Sequence, residues 1–237
     1  MANLLRGRLG KALMDRSPAI YGRLFAPFSA EGPSGLRDLP RPFVFRTHQF
    51  DGVKFAAGEP FEFGVNLFDT RTATIDSVRE ALCAGVDGQF TGVDGAELLR
   101  LPLAPCANPV KRVRVRFLTA TELKGAAEPF FGVLFARIRD RVSTLRALYG
   151  HGPLNIDFKD MGQRAESVHM TRRELRRVDV ERVSRHTGQR HSLGGFVGFA
   201  DYEGDLAEFA PYLEAARFTG VGRQTVWGKG EIAWEEI

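Results

Sequence analysis

The sequence has few cysteines and no long hydrophobic run. Its two cysteines, Cys83 and Cys106, are too few for a disulfide framework in a chain of 237 residues and are typical of a reducing compartment. No stretch approaches the ~18 apolar residues of a membrane span. The charged start, Met1–Arg8, lacks the apolar segment of a secretory signal peptide. These absences predict a cytoplasmic protein with no membrane partner.

Acidic residues are too few to balance the basic ones in the second half of the chain. Residues 1–108 carry 12 Lys/Arg and 12 Asp/Glu, whereas residues 109–237 carry 21 and 17, so the whole net charge of +4 lies there. Eight arginines fall within 27 residues that contain only four acids: Arg164, Arg172, Arg173, Arg176, Arg177, Arg182, Arg185 and Arg190. Arginine suits phosphate forks and stacking on bases, but such a run is equally compatible with a solvated charged face.

The hydrophobic pattern predicts two domains. A proline-bracketed stretch, Ala104–Pro109, separates a domain of residues 1–108 from one of residues 109–237. Periodicity predicts the elements of the second domain in this order: a strand at Val110–Phe117, a helix at Glu128–Leu148, an Arg-rich β stretch at Glu166–Arg185, a return strand at Leu193–Tyr202, a helix at Asp205–Arg217 and a last strand at Glu231–Trp234. The order βαββαβ is that of ferredoxin-like and many RNA-recognition domains.

The first half predicts a weaker copy of the same fold. Its predicted elements are a helix at Asn3–Met14, strands at Phe43–Arg46 and Phe61–Phe68, a helix at Thr74–Cys83 and a strand at Glu97–Leu103. The opening strand is missing, so either another element takes its place or the natural chain begins upstream. The predicted fold class is therefore α+β, with tandem ferredoxin-like (RRM-like) domains of which the first lacks its opening strand.

A glycine-rich segment near the C-terminus, residues 220–230, is the most distinctive motif. Gly220, Gly222, Gly228 and Gly230 follow a G-x-G-x5-G-x-G pattern that also contains Arg223 and Lys229. Glycines admit close backbone approach, and two cations add phosphate affinity. Nucleotide-binding glycine loops follow a first strand and open a helix, whereas only one short strand follows this segment, which disfavours dinucleotide and ATP sites. The structural alternative is a glycine-rich hairpin.

Several segments taken in order resemble one known family. The segments that show the resemblance are Arg6–Leu13, Tyr21–Phe25, Pro42–Phe45, Ala57–Phe63, Val178–Arg185, Leu193–Gly198, Tyr202–Leu206 and the glycine-rich segment. Together they resemble the RAMP-superfamily endoribonucleases that process CRISPR precursor RNA (CRISPR-associated protein six). The resemblance runs along most of the chain, and its strength lies in the set and the order of the segments.

The resemblance implies a function and a mechanism. It implies an endoribonuclease that binds CRISPR repeat RNA and cleaves precursor crRNA without metal or cofactor. The 2′-OH would attack the adjacent phosphorus and leave a 2′,3′-cyclic phosphate. The implied partners are repeat RNA or crRNA and, as further candidates, other subunits of a CRISPR effector complex, with the protein itself a monomer or homodimer. Such chemistry needs proton transfer, for which histidine is suited, and cations at the phosphate.

Candidate catalytic residues are ranked by position and chemistry, because the family's histidine near the first helix has no counterpart before residue 48. The candidates are His48 after the strand Pro42–Thr47, Tyr21, and His151 after the predicted long helix. Each has a structural alternative: His48 as a surface histidine, Tyr21 as a core aromatic, and His151 as a cation at a helix C-terminus.

Candidate RNA-binding residues come from the glycine-rich segment and from a predicted hairpin tip of Arg, His and Gln. They are Gly220, Gly222, Arg223, Gly228, Lys229, Gly230, Arg182, Arg185, His186, Arg190 and His191. Two other functions stay open. One is a non-catalytic RAMP-type RNA-binding subunit of an effector complex, and the other is an unrelated metabolic ferredoxin-like enzyme, which would need a buried cofactor pocket.

Overall fold

The computed structural model describes residues 1–27, 39–56, 58–84, 95–179, 181–183, 190–192 and 194–237, with backbone alone at 181–183 and 190–192. The chain divides into two compact units. Unit 1 comprises residues 1–100 together with Ser143–Leu154, and unit 2 comprises Leu101–Val142 together with Asn155–Ile237. None of the helices within the described ranges is long and apolar enough to cross a membrane.

Within its described residues, unit 1 contains three helices and a two-stranded sheet of its own. Its elements are α1 (Ala2–Arg16), α2 (Pro18–Phe25), β1 (Phe43–Arg46), β2 (Gly64–Leu67) and α3 (Thr72–Ala84). β1 and β2 pair antiparallel, with Phe43 opposite Leu67. Leu5, Leu9 and Leu13 recur every four residues along α1 and are all buried, as an amphipathic helix requires.

The predictions for unit 1 hold except at two strands. The predicted strand Phe61–Phe68 narrows to β2, and the predicted strand Glu97–Leu103 is wrong, because residues 95–111 form neither helix nor strand. Residues 95–100 are exposed throughout, so no face of such a strand would be buried. Pro102 would also remove a hydrogen-bond donor from its ladder.

Unit 2 has a complete βαββαβ frame. Its elements are β3 (Arg112–Thr121), α4 (Phe131–Tyr149), whose last turns belong to unit 1, α5 (Phe158–Glu166), β4 (His169–Val178), β5 (Glu181–Val183), β6 (Arg190–Ser192), β7 (Gly195–Glu203), α6 (Ala210–Thr219) and β8 (Ile232–Glu236). The antiparallel sheet has the order β4-β7-β3-β8, and β5 pairs with β6 in a separate two-stranded sheet. The strands β3 and β4, which follow each other around α4, are separated in the sheet by β7. This is the split βαβ arrangement of a ferredoxin-like fold, so the predicted α+β class is confirmed.

The sheet of unit 2 buries one face and leaves the other open. Val113, Val115 and Phe117 are almost fully buried on β3, as their strict alternation predicts. On β7 the hydroxyl of buried Tyr202 donates a 2.6 Å hydrogen bond to the carbonyl of Pro129, and burial raises the pKa of that phenol well above its ordinary value.

One predicted β stretch begins as a helix. Glu166–Arg185 was expected to be extended, but α5 occupies its first residue, and β4 starts only at His169. The carboxylate of Asp157 caps α5 by accepting hydrogen bonds from the backbone N–H groups of Lys159 and Asp160, both at 2.9 Å. An aspartate at the N-cap is a strong signal for the start of a helix. The prediction of an arginine-rich β stretch did not take this signal into account.

The glycine-rich segment is docked on the end of β3. The N–H of Gly230 donates to the carbonyl of Ala120 at 3.1 Å, and the N–H of Arg223 donates to the carbonyl of Glu122 at 3.1 Å. Gly222 and Gly230 have φ values of +78° and +68°. A Cβ at Gly222 would collide with the carbonyl oxygen of Glu122, and a Cβ at Gly230 with that of Val221. Both positions therefore require glycine for the protein's own backbone packing.

Replacing Gly230 with alanine should destabilise the protein. The left-handed backbone and the collision with Val221 together predict a loss of at least about 2 kcal/mol in unfolding free energy. The measurement is chemical denaturation of Gly230→Ala. The control is Gly7→Ala on α1, where an added Cβ meets nothing within 4 Å, and where alanine should stabilise the helix by about 0.5–1 kcal/mol. A Gly230→Ala variant as stable as the parent protein would contradict this packing.

Candidate nucleic-acid interface

A cleft in unit 1 is lined by two arginines that share one carboxylate. It has a volume of about 480 Å³ and is lined by Ala19, Gly22, Arg23, Ala26, Pro27, Arg71, Leu148 and Tyr149. The lining residues come from α2 and the two residues after it, from the segment between β2 and α3, and from the C-terminal end of α4. We call it the Arg23–Arg71 cleft.

Two arginines of the Arg23–Arg71 cleft bind one buried carboxylate. Asp69 is fully buried. Arg71 holds it as a fork, with Nε 2.8 Å from Oδ1 and a terminal nitrogen 2.9 Å from Oδ2. A terminal nitrogen of Arg23 lies 2.6 Å from the same Oδ2. One carboxylate therefore fixes two guanidinium groups, and the three groups together keep a net positive charge.

Tyr149 lies on the wall of the same cleft. Its hydroxyl donates a 2.8 Å hydrogen bond to the carbonyl of Pro40. Burial raises the pKa of Tyr149 to about 12, with the negative charge of Asp69 adding to the rise and the charges of Arg41 and Arg23 opposing it. The phenol thus stays protonated at neutral pH and remains a hydrogen-bond donor. Sequence reasoning missed both Tyr149 and Asp69, because neither stands in a motif.

The three candidate catalytic residues all belong to unit 1. His48 is exposed and opens a single 3₁₀ turn directly after β1. Tyr21 lies on α2, where its ring stacks on Phe25 with centroids 5.2 Å apart. His151 is exposed two residues after the end of α4. Tyr21 and His151 are therefore chain neighbours of residues that line the Arg23–Arg71 cleft, whereas His48 lies on an element that does not line it.

The main-chain N–H groups of the glycine-rich segment are largely engaged within the chain. The N–H of Val221 donates to Gly230 at 2.8 Å and that of Gly228 to Thr225 at 3.0 Å, in addition to the bonds of Arg223 and Gly230 to the end of β3. A phosphate cradle built from these N–H groups is therefore disfavoured. Cationic side chains remain for phosphate contact: the Arg223 guanidinium is 58% exposed beside Glu122, and Lys229 is partly exposed.

The predicted hairpin tip is described only in part. Arg182 lies opposite His191, and Arg190 lies on β6 opposite Val183, so the backbone places these three residues on one two-stranded hairpin. Arg185 and His186 lie outside the described residues. Their RNA contacts stay predictions.

Several of the clustered arginines have carboxylate partners. Arg164 pairs with Glu208 and Asp160, Arg172 with Glu174, and Arg173 with Glu128. These pairs are what the alternative of a solvated charged face predicts.

The open face of the unit 2 sheet carries an ion pair against an aromatic ring. Arg114 holds Asp201 through two hydrogen bonds of 2.7 and 2.8 Å, and its guanidinium lies 4.1 Å from the ring centroid of Phe199. The hydrogen bond from Arg114 lowers the pKa of Asp201. Arg114 is thus bound to its neighbours on the sheet, and we assign it a structural role.

Comparison with known proteins identifies related folds. Cas6 from Thermus thermophilus, determined as a product complex, aligns with a TM-score of 0.62 at 18% identity over 99% of this chain and 93% of that chain. A second Cas6 product complex aligns with a TM-score of 0.53 at 17% identity, over 99% of this chain and 93% of that chain. At these identities the likeness establishes the fold alone. No curated protein sequence matches the chain significantly.

The sequence itself carries a family signature in its second half. The profile of the family described as "CRISPR-associated endoribonuclease Cas6" matches residues 115–232, which extend from β3 through the glycine-rich segment to the start of β8. This is the region whose packing depends on Gly222 and Gly230. By this match and the shared fold, the chain belongs to the family of CRISPR-associated Cas6 endoribonucleases.

Proposed function

We propose that this protein binds CRISPR repeat RNA and cleaves precursor crRNA without a metal ion. The observation that carries the proposal is the family match over residues 115–232, which include the glycine-rich segment. In the proposed reaction the 2′-oxygen attacks the adjacent phosphorus and loses its proton to a base. The bond from phosphorus to the 5′-oxygen breaks, and that oxygen takes up a proton. The products are a 2′,3′-cyclic phosphate and a 5′-hydroxyl.

The proposed chemistry needs a base, an acid and cations near one phosphate. We assign the base to His48 because its imidazole is exposed after β1. His151 and the Tyr21 hydroxyl are the candidates for delivering a proton to the leaving oxygen. Both lie beside residues of the Arg23–Arg71 cleft along the chain, and its guanidinium groups supply positive charge in the same unit.

RNA binding is proposed for two parts of unit 2. The first is the hairpin of β5 and β6, with Arg182, Arg185, His186, Arg190 and His191. The second is the glycine-rich segment, in which Gly220, Gly222, Gly228 and Gly230 shape the backbone and Arg223 and Lys229 contact phosphates. Other CRISPR effector subunits are proposed as further partners on the strength of the family match.

Cleavage should require the 2′-OH and no divalent ion. Precursor repeat RNA incubated with the protein in EDTA should be cut at one position, and a single 2′-deoxy substitution at that position should abolish the cut, because the nucleophile is removed. The measurement is gel analysis of both substrates under single-turnover conditions. Cleavage of the 2′-deoxy substrate would contradict the proposed mechanism. Tight binding without any cut would favour the non-catalytic RAMP-type subunit.

Replacement of His48 should slow the chemical step and leave RNA affinity largely intact. Loss of a general base predicts a fall of about 10²–10⁴-fold in single-turnover rate. His151→Ala and Tyr21→Phe test the two proton-donor candidates in the same assay. The matched control is His169→Ala, which removes an exposed histidine from β4 and should leave the rate unchanged. Equal rates for His48→Ala and His169→Ala would remove His48 from the mechanism.

Arg223 should contribute one phosphate contact. Its replacement by glutamine should lower the slope of log affinity against log salt by about 0.7–0.9, the value for one neutralised phosphate. The control is Arg112→Gln, because Arg112 is also about half exposed and faces a carboxylate, Glu203, at 3.5 Å. The measurement is RNA affinity by fluorescence anisotropy between low and moderate salt. A slope equal to that of Arg112→Gln would exclude Arg223 from the interface.

A further inference from the structure

The Arg23–Arg71 cleft has an excess of hydrogen-bond donors over acceptors. A guanidinium carries five N–H donors, and the Asp69 carboxylate is the acceptor shared by both arginines. Within the described residues, the Nε atom of Arg23 is buried and has no hydrogen-bond partner. A buried donor without a partner costs free energy unless a ligand supplies an acceptor.

The shape of the cleft leaves room for such an acceptor. Its wall at α2 includes the small residues Ala19 and Gly22, and Ala26 follows directly after the helix. An added Cβ at Gly22 would meet nothing within 4 Å, so neither backbone conformation nor close packing requires glycine there. The absence of a side chain at Gly22 leaves open this part of the cleft, which Arg23 and Arg71 also line.

The buried carboxylate also holds the donors in place. Asp69 is inaccessible to solvent and binds Arg71 through two parallel hydrogen bonds. Arg41 adds a further cation to unit 1, with its Nε fixed 2.8 Å from the carbonyl of Phe25 at the end of α2. Cationic groups that are fixed before binding lose little conformational freedom when an anion arrives, which is the condition for a strong phosphate site.

We propose that Arg23 and Arg71, held by Asp69, form a subsite for one phosphodiester group of the bound RNA, with Gly22 keeping the subsite open. This inference rests on the proposed function, which supplies the RNA. The chemistry recognised is a tetrahedral oxyanion. A free phosphate or sulfate ion shares that chemistry and is separated from RNA by the test below.

The test compares variants in binding a repeat RNA made uncleavable by 2′-deoxy substitution. Arg71→Gln should weaken RNA binding by about tenfold and lower the salt slope by about 0.7, the value for one single-stranded phosphate. Arg71→Lys should restore the slope, because it restores the charge, and only part of the affinity, because it lacks the fork. The matched control is Arg79→Gln on α3 of the same unit, an exposed arginine outside the cleft, which should leave both quantities unchanged.

A second variant tests the space without changing any charge. Gly22→Leu should fill the cleft and weaken RNA binding at an unchanged salt slope and an unchanged or raised Tm, because leucine favours a helix over glycine. Gly7→Leu on α1, where the space beyond the Cβ is also open, is the matched control and should bind RNA like the parent protein.

The outcomes separate the subsite from the proposed function. If the parent protein binds RNA and Arg71→Gln behaves like Arg79→Gln, the subsite is wrong and the proposed function stands. If the parent protein does not bind repeat RNA, the proposed function fails and the RNA subsite fails with it. If sulfate raises the Tm of the parent protein but not of Arg71→Gln, while RNA affinity is the same for both, the cleft takes a small anion and the assignment to RNA is overturned.

Discussion

The register break at the end of β3 is the constraint on which the second unit depends. β3 pairs with β7 through Phe117, and the register shifts before Thr121 resumes the pairing. Around the break, the N–H of Leu118 donates to the carbonyl of Glu231, and the N–H of Glu231 donates to the hydroxyl of Thr119 at 3.0 Å. These bonds hold the glycine-rich segment against the strand. The irregular pairing of β3 with β7 thus lies at the same residues that attach the segment to the strand.

Positive charge serves different purposes in the two units. In unit 2, arginines such as Arg114 and Arg164 are paired with carboxylates, so their number overstates the charge available to RNA. In unit 1, two arginines share the single buried carboxylate of Asp69. The part of the chain with balanced composition thus contains a locally cationic cleft that a count of charges over the first 108 residues does not reveal.

Local sequence patterns predicted most of the helices and strands, but they could not predict contacts between residues that are distant in the sequence. The alternation of Val113, Val115 and Phe117 has only one interpretation, because a period of two places one face against a core. The strand at Glu97–Leu103 was wrong because its apolar residues have no partner to bury them. The Arg23–Arg71 cleft needs residues separated by some 46 positions, Arg23 and Asp69, to meet on one carboxylate, and no periodicity in the sequence encodes that meeting.

The glycine-rich segment illustrates how far a motif can be interpreted from sequence alone. Its glycines predicted close backbone approach, and the approach exists, but at Gly222 and Gly230 the approaching backbone is that of the protein itself. The sequence could not distinguish a ligand from the chain's own carbonyl groups, because both demand the absence of a Cβ. The proposed affinity of the segment for RNA therefore depends on its cationic side chains.

The chemical identity of the cleaved ends distinguishes the 2′-oxygen from water as the nucleophile. Mass spectrometry of the products formed in EDTA should find a 2′,3′-cyclic phosphate on the upstream fragment and a 5′-hydroxyl on the downstream fragment. A 3′-hydroxyl paired with a 5′-phosphate would show that water attacked the phosphorus and that the bond to the 3′-oxygen broke. That result would contradict the assignment of the 2′-oxygen as nucleophile.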